Sequence, residues 1–207
     1  MSNQLLNDQV PADPRHWLRS YYSVRAAFSF IWVAAVLLLA PASTLAAGAL
    51  LLIYPAWDAA ANAVDARRNG GLRNNPTQAV NTVVSSLTTV AVAVGLADSM
   101  NVVLGIFGIW AALSGLLQLA TAIRRWKQVG AQWVLIVSGA QSAAAGVLFL
   151  REAAAPATPN AAAIAPYAAF GAFYFLVSAI WLFVAGRRRM AQSEPTRSGP
   201  PASVHPR

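Results

Sequence analysis

This sequence predicts an all-α membrane protein of six transmembrane helices, arranged as three repeated helical hairpins with the N and C termini cytoplasmic. Three observations lead there. Only 11% of the 207 residues are charged and 57% are hydrophobic, against roughly 25% charged residues in a soluble domain. Five charge-free runs, residues 26–57, 74–97, 99–123, 128–150 and 153–186, divide the chain, and a helix needs about 20 apolar residues to cross a hydrocarbon core of about 30 Å. Finally, with six alternating spans, fourteen of the fifteen lysines and arginines fall on one side and only Arg151 on the other. The positive-inside rule makes that side cytoplasmic.

The elements follow in order. Residues 1–22 form a polar N-terminal segment with a short interfacial helix: Asp13 and Pro14 offer an N-cap and a first helical position, and Trp17, Tyr21 and Tyr22 suit an aromatic belt. The transmembrane domain covers 23–186. Its first run is 32 residues long and carries Pro41, followed by Ala42, Ser43 and Thr44, turn and N-cap chemistry that splits it into helices over 23–40 and 43–66. Asn69-Gly70-Gly71 stops the second helix, since glycine readily takes the left-handed cap conformation. Asn75-Pro76 starts a third over 76–97, and the turn at Asp98 and Ser99 leads to a fourth over 100–123. A fifth spans 131–150. Pro156, Pro159 and Asn160 make a loop before the sixth, over 163–186, and the serine, proline and glycine of 187–207 predict a disordered basic tail. Small residues around Ala46 and Ala47 follow an apolar segment, but the apolar run continues at once, so no signal-peptide cleavage is expected there.

Charge enters a span in one stretch, 54–71. Tyr54, Asp58, Asn62 and Asp65 recur at four, four and three residues, one face of a helix. At about 1.5 Å per residue from Ser43, Asp58 lies about 22 Å into a core of about 30 Å, inside its inner third. A carboxylate there needs a partner, and Arg25 on the antiparallel first helix is the preferred one. Gln78, Asn81, Ser85 and Thr88 form a second polar stripe starting at the same level. Asp58, Asn62, Gln78, Asn81 and Arg25 are therefore the candidate intramembrane polar site. Two readings of Asp58 stay open: a protonatable group in a proton or solute path, or a structural anchor paired with Arg25 or with the stripe. Asp65, followed by Arg67 and Arg68, is expected at the interface, pairing locally.

The remaining chemistry is sparse. There is no cysteine, which excludes disulfides and thiolate metal sites. The two histidines, His16 and His205, sit in opposite tails without ligand-spaced neighbours. No GxSxG, HExxH or P-loop pattern occurs, so neither an enzyme nor a cofactor is expected. The net charge of +8 resides at helix ends, which points to anionic lipid at the cytoplasmic face as partner, and not to nucleic acid. Gly105, Gly108, Ala112 and Gly115, and then Gly139, Ser142 and Gly146, form small helix faces that allow close packing and, through the same faces, a homo-oligomer.

Arg67-Arg68, Arg124-Arg125 and Arg187-Arg188 close the even-numbered helices at intervals of 57 and then 63 residues, the mark of three related hairpins. The run from Phe107 to Leu119, the cluster Arg124-Arg125-Trp126-Lys127, Gly130-Ala131-Gln132-Trp133 and Ser138-Gly139-Ala140-Gln141-Ser142 together resemble the HdeD family of short-repeat bacterial membrane proteins. The stretch from Tyr54 to Asp58 and that from Tyr167 to Leu182 are similar to the same group. The resemblance covers about 20–186. It implies a six-helix protein of the bacterial inner membrane, non-catalytic and associated with acid or envelope stress tolerance. It carries over no catalytic residue or ligand site. An alternative from another class is a small proton-coupled transporter or channel with Asp58 as its titrating residue.

Overall fold

The computed structural model describes residues 14–125 and 132–193; the first part of the expected N-terminal segment (1–13 of 1–22), residues 126–131 and most of the expected tail (194–207 of 187–207) lie outside the described residues. The described chain is helical, without a strand: α1 Pro14–Leu39, α2 Thr44–Arg68, a 3-10 turn Leu72–Asn74, α3 Pro76–Gly95, α4 Met100–Arg125, α5 Gln132–Ala153, a 3-10 turn Ala161–Ile164 and α6 Ala165–Ser193.

Local chemistry sets these limits. Nothing after Pro14 breaks α1 until the turn before Ser43, so the expected interfacial helix and first span are one continuous helix. Ser43 is extended and its hydroxyl accepts from the Ala46 amide, capping α2. At the other end Gly70 and Gly71 both have φ near 90°, and the Gly71 amide turns back onto the Ala66 carbonyl at 2.7 Å. Asn75 starts α3 but its side chain makes no cap there; its amide donates to the carbonyls of Asn69 and Gly71 instead. Past Gly186, α6 continues to Ser193, because arginine, methionine, alanine and glutamine are good helix formers.

Among the described residues, five helical stretches are long and apolar enough to cross a membrane: Trp17–Leu39, Thr44–Arg68, Pro76–Gly95, Met100–Ala120 and Ala161–Arg188. These spans make the chain a multi-pass membrane protein.

The helices form a ring in chain order, closed by α6 against α1. The closest packing is α2 on α3, α4 on α5 and α6 on α1, that is, between the expected hairpins rather than inside them. Buried apolar side chains from every helix fill one end of the ring, among them Trp32, Leu51, Val92, Phe107, Phe149 and Ala168. Asn101 ties this end together, its amide donating to the carbonyls of Ala153, Ala155 and Ala157 at 3.1–3.3 Å and so meeting carbonyls that the end of α5 leaves without a helical partner.

Between α4 and α5 the small faces meet each other. A Cβ on Gly115 would lie 2.5 Å from the Ala143 nitrogen and the Gly139 oxygen, and one on Gly146 would lie 2.6 Å from the Ala112 nitrogen and the Gly108 oxygen. Backbones approach this closely only over glycine. The faces offered by the sequence for self-association are thus occupied inside the chain. Gly115→Ala and Gly146→Ala are each expected to lower stability by about 1–3 kcal/mol through overpacking, measured as unfolding in detergent. Gly186→Ala, with nothing within 4 Å of the added carbon, should not lower it.

Candidate functional site

The inward face of α2 carries the first half of the site. Arg25 on α1 reaches across to Asp58 and its Nη2 donates to Oδ1, an ion pair whose side chains are only 12% and 18% exposed. Two further contacts hold the guanidinium: Nη1 donates to the Tyr21 hydroxyl at 2.8 Å, and the charged carbon lies 4.3 Å from the centre of the Phe175 ring on α6, a cation–π distance. Asp58 in turn collects donors at Oδ2, from the Asn62 amide at 3.1 Å and from the Ser85 hydroxyl at 2.7 Å. Ser85 accepts from Trp110 Nε1 at 3.1 Å. One carboxylate thereby connects α1, α2, α3 and α4, with α6 behind the arginine.

Asp65 departs from expectation. It does not pair with its neighbours Arg67 and Arg68; it is 6% exposed and accepts from Trp17 Nε1 at 3.1 Å, the Asn69 amide at 2.9 Å and the Gln78 amide at 3.2 Å. The physical reason is the length of α1. Because that helix runs unbroken from Pro14, Trp17 reaches the last turn of α2 and covers it, while Arg68 stacks over the same indole at 4.2 Å. Gln78 thus serves Asp65, while Asn81 lines the space beside them. The sequence does hold a signal for this. Asp58 and Asn62, and seven residues on Asp65 and Asn69, are two copies of one pattern, and in both the asparagine amide donates to the backbone carbonyl and the carboxylate of the aspartate four residues back.

Around these groups lies a cavity of about 690 Å³ lined by side chains of all six helices. Arg25, Asp58, Asn62, Gln78 and Asn81 all line it, and so do residues to which the polar stripes alone did not point. Tyr174 of α6 donates to Gln141 of α5 at 2.7 Å, and Tyr167 shares a 3.1 Å hydrogen bond with Ser142, whose hydroxyl also meets the Ala111 carbonyl of α4. Tyr54, with Trp32 at 4.5 Å and Trp110 at 5.8 Å between ring centres, marks the border between cavity and apolar core. Two buried donors, Arg25 Nε and Trp57 Nε1, have no acceptor among the described residues. Within those residues no group of three or more histidine, cysteine, aspartate or glutamate side chains is placed to hold a metal ion. The wall offers amides, hydroxyls, aromatic faces, the Arg25–Asp58 ion pair and the carboxylates of Asp65 and Glu152.

Removing one member of the pair strands the other in a buried setting, which costs about 3–5 kcal/mol. Arg25→Ala is expected to destabilise the protein by that amount in detergent unfolding, and Arg73→Ala, at an exposed residue, by less than about 0.5 kcal/mol. The double change Arg25→Leu with Asp58→Leu should recover most of the loss; equal shifts for the two single arginine variants would reject the anchor.

A family model described as a short repeat of unknown function (DUF308) matches residues 80–151, from early α3 to the last turn of α5 and less than half of the chain. No curated protein matches the sequence and no solved structure does. Over α3 to α5, then, the chain is similar to that short repeat, within a helical membrane protein.

Proposed function

We propose that this chain is a non-catalytic protein of the bacterial inner membrane that binds a small ligand inside its ring of helices, in the service of acid or envelope stress tolerance. The observation that carries the binding part is the cavity, whose wall sets polar groups among apolar ones while the outside of the same helices is apolar: Ser114 and Gln118 of α4 face it, whereas Leu113 and Leu116 on that helix are exposed outward. Polar groups turned into the interior of a membrane bundle without a ligand or water to meet them would be costly. The stress role rests on the resemblance to the HdeD family alone; the match of residues 80–151 to a short repeat of unknown function agrees with that resemblance and carries no role of its own. In this reading the arginine-bearing helix ends and both termini are cytoplasmic and anionic lipid is the partner of that face. A homo-oligomer would use surfaces other than the α4–α5 contact.

The absence of native cysteine makes the test simple. Single cysteines replacing Ser114 and Gln118 are expected to react with a small hydrophilic methanethiosulfonate in proteoliposomes, because a thiolate forms only in contact with water. Cysteines replacing Leu113 and Leu116, against lipid, should stay inert. Equal inertness at all four would mean a dry bundle and remove the reading.

A second reading, a small proton-coupled transporter or channel, is favoured by the presence of Asp58, Asn62, Gln78 and Asn81 on one continuous wall. Against it, both carboxylate oxygens of Asp58 are already committed to Arg25, Asn62 and Ser85. Proteoliposomes are therefore expected to pass protons no faster than protein-free vesicles. A wild-type flux abolished by Asp58→Asn would install the transport reading in its place.

A further inference from the structure

The ring has one loose joint. Helices α5 and α6 hardly touch, while α5 packs closely on α4 and α6 on α1. The gap is bridged by the hydrogen bonds of Tyr174 to Gln141 and of Tyr167 with Ser142, and the small Ala144 keeps it open. Leu148 of α5 and Phe170 of α6 both line the cavity, yet they are 61% and 52% exposed. A residue that lines a cavity and also lies on the outer surface marks a mouth. In a membrane-spanning chain this mouth faces acyl chains, and its neighbours Val147 and Phe173 are exposed and apolar as well.

Polarity then rises inward from the mouth, through Gln141 and Tyr174 to the Arg25–Asp58 pair. That pair is compensated and Asp65 is met by three donors, and Glu152, the remaining carboxylate of the lining, stands in the last turn of α5, so a charged headgroup placed beside Arg25 would be desolvated without a free counter-charge. An uncharged head rich in oxygen has amide, hydroxyl and indole partners, and Arg25 Nε and Trp57 Nε1 still lack acceptors. The volume of about 690 Å³ lies in the range of about 300–1,000 Å³ typical of small-ligand sites. A helix from a second copy, at least about 10 Å across, would need a far wider mouth.

We infer that the cavity takes a single-chain amphiphile with an uncharged, hydroxyl- or carbonyl-bearing head, admitted sideways from the bilayer between α5 and α6. The head lies toward Arg25 and the tail leaves past Leu148 and Phe170. This rests on the cavity being a ligand site, as proposed above.

The test uses the full chain in phosphatidylcholine nanodiscs with a monoacylglycerol bearing a diazirine in its acyl chain, irradiated and mapped by mass spectrometry. Adducts are expected to concentrate on Leu148 and Phe170. Ala144→Trp or, should that variant melt early, Ala144→Phe should lower their yield several-fold, and Ala34→Trp, at an exposed residue of α1, should leave it unchanged. The same diazirine on a fatty acid should label these residues several-fold less. Adducts spread evenly over all helices would indicate only surrounding lipid and overturn the inference. So would equal labelling by the fatty acid, or cross-linked dimers joined through α5 and α6. A head-sized, water-soluble diazirine that reaches Ser114 and Gln118 while the amphiphile does not would overturn the inference and leave the cavity reading standing. If neither probe enters and the cysteines at those positions are inert, both fall.

Discussion

A carboxylate at membrane depth must be matched by a cation or by several donors, and this structure depends on how Asp58 is matched. Its partner Arg25 comes from α1, its two further donors from α2 and α3, and one of those is held in turn from α4. Because each partner stands on a different helix, satisfying one charge brings four helices to one depth. The guanidinium face on Phe175 adds α6. In a medium where burying apolar surface gives helices little reason to associate, such a hub supplies direction that apolar contacts do not.

The two ends of the ring work differently. At one end apolar side chains from every helix interlock, and the α4–α5 backbones close over glycine. Toward the arginine-bearing end the interior turns polar and space remains. Asp65 supports that half as Asp58 supports the middle, accepting from Trp17, Asn69 and Gln78 on three separate segments. The α5–α6 joint lacks a hub of this kind. It has two side-chain bridges and little backbone contact, which is why the cavity reaches the surface there.

Part of the site was legible in the residues. The spacing of Tyr54, Asp58, Asn62 and Asp65 put them on one face, and the antiparallel course of α1 pointed to Arg25, because both follow from helical geometry alone. The role of Asp65 was not legible in the same way. Its depth was counted from the start of α2, while its burial depends on Trp17 at the far end of a helix that runs unbroken for 26 residues. Gln141 and Tyr174 likewise lie on helices whose closeness is a matter of ring closure, and no local pattern encodes it.

The amino-acid sequence by itself determined that this is a helical membrane protein, where most helices begin and end, and which residue types bring charge into a span. Those properties follow from hydropathy, periodicity and turn chemistry, which act over a few residues. Tertiary structure decided which helices pack tightly, that the small faces of α4 and α5 meet each other, that Asp65 is buried, and that a cavity opens between α5 and α6. Each of these depends on side chains from distant helices filling, or failing to fill, a shared space.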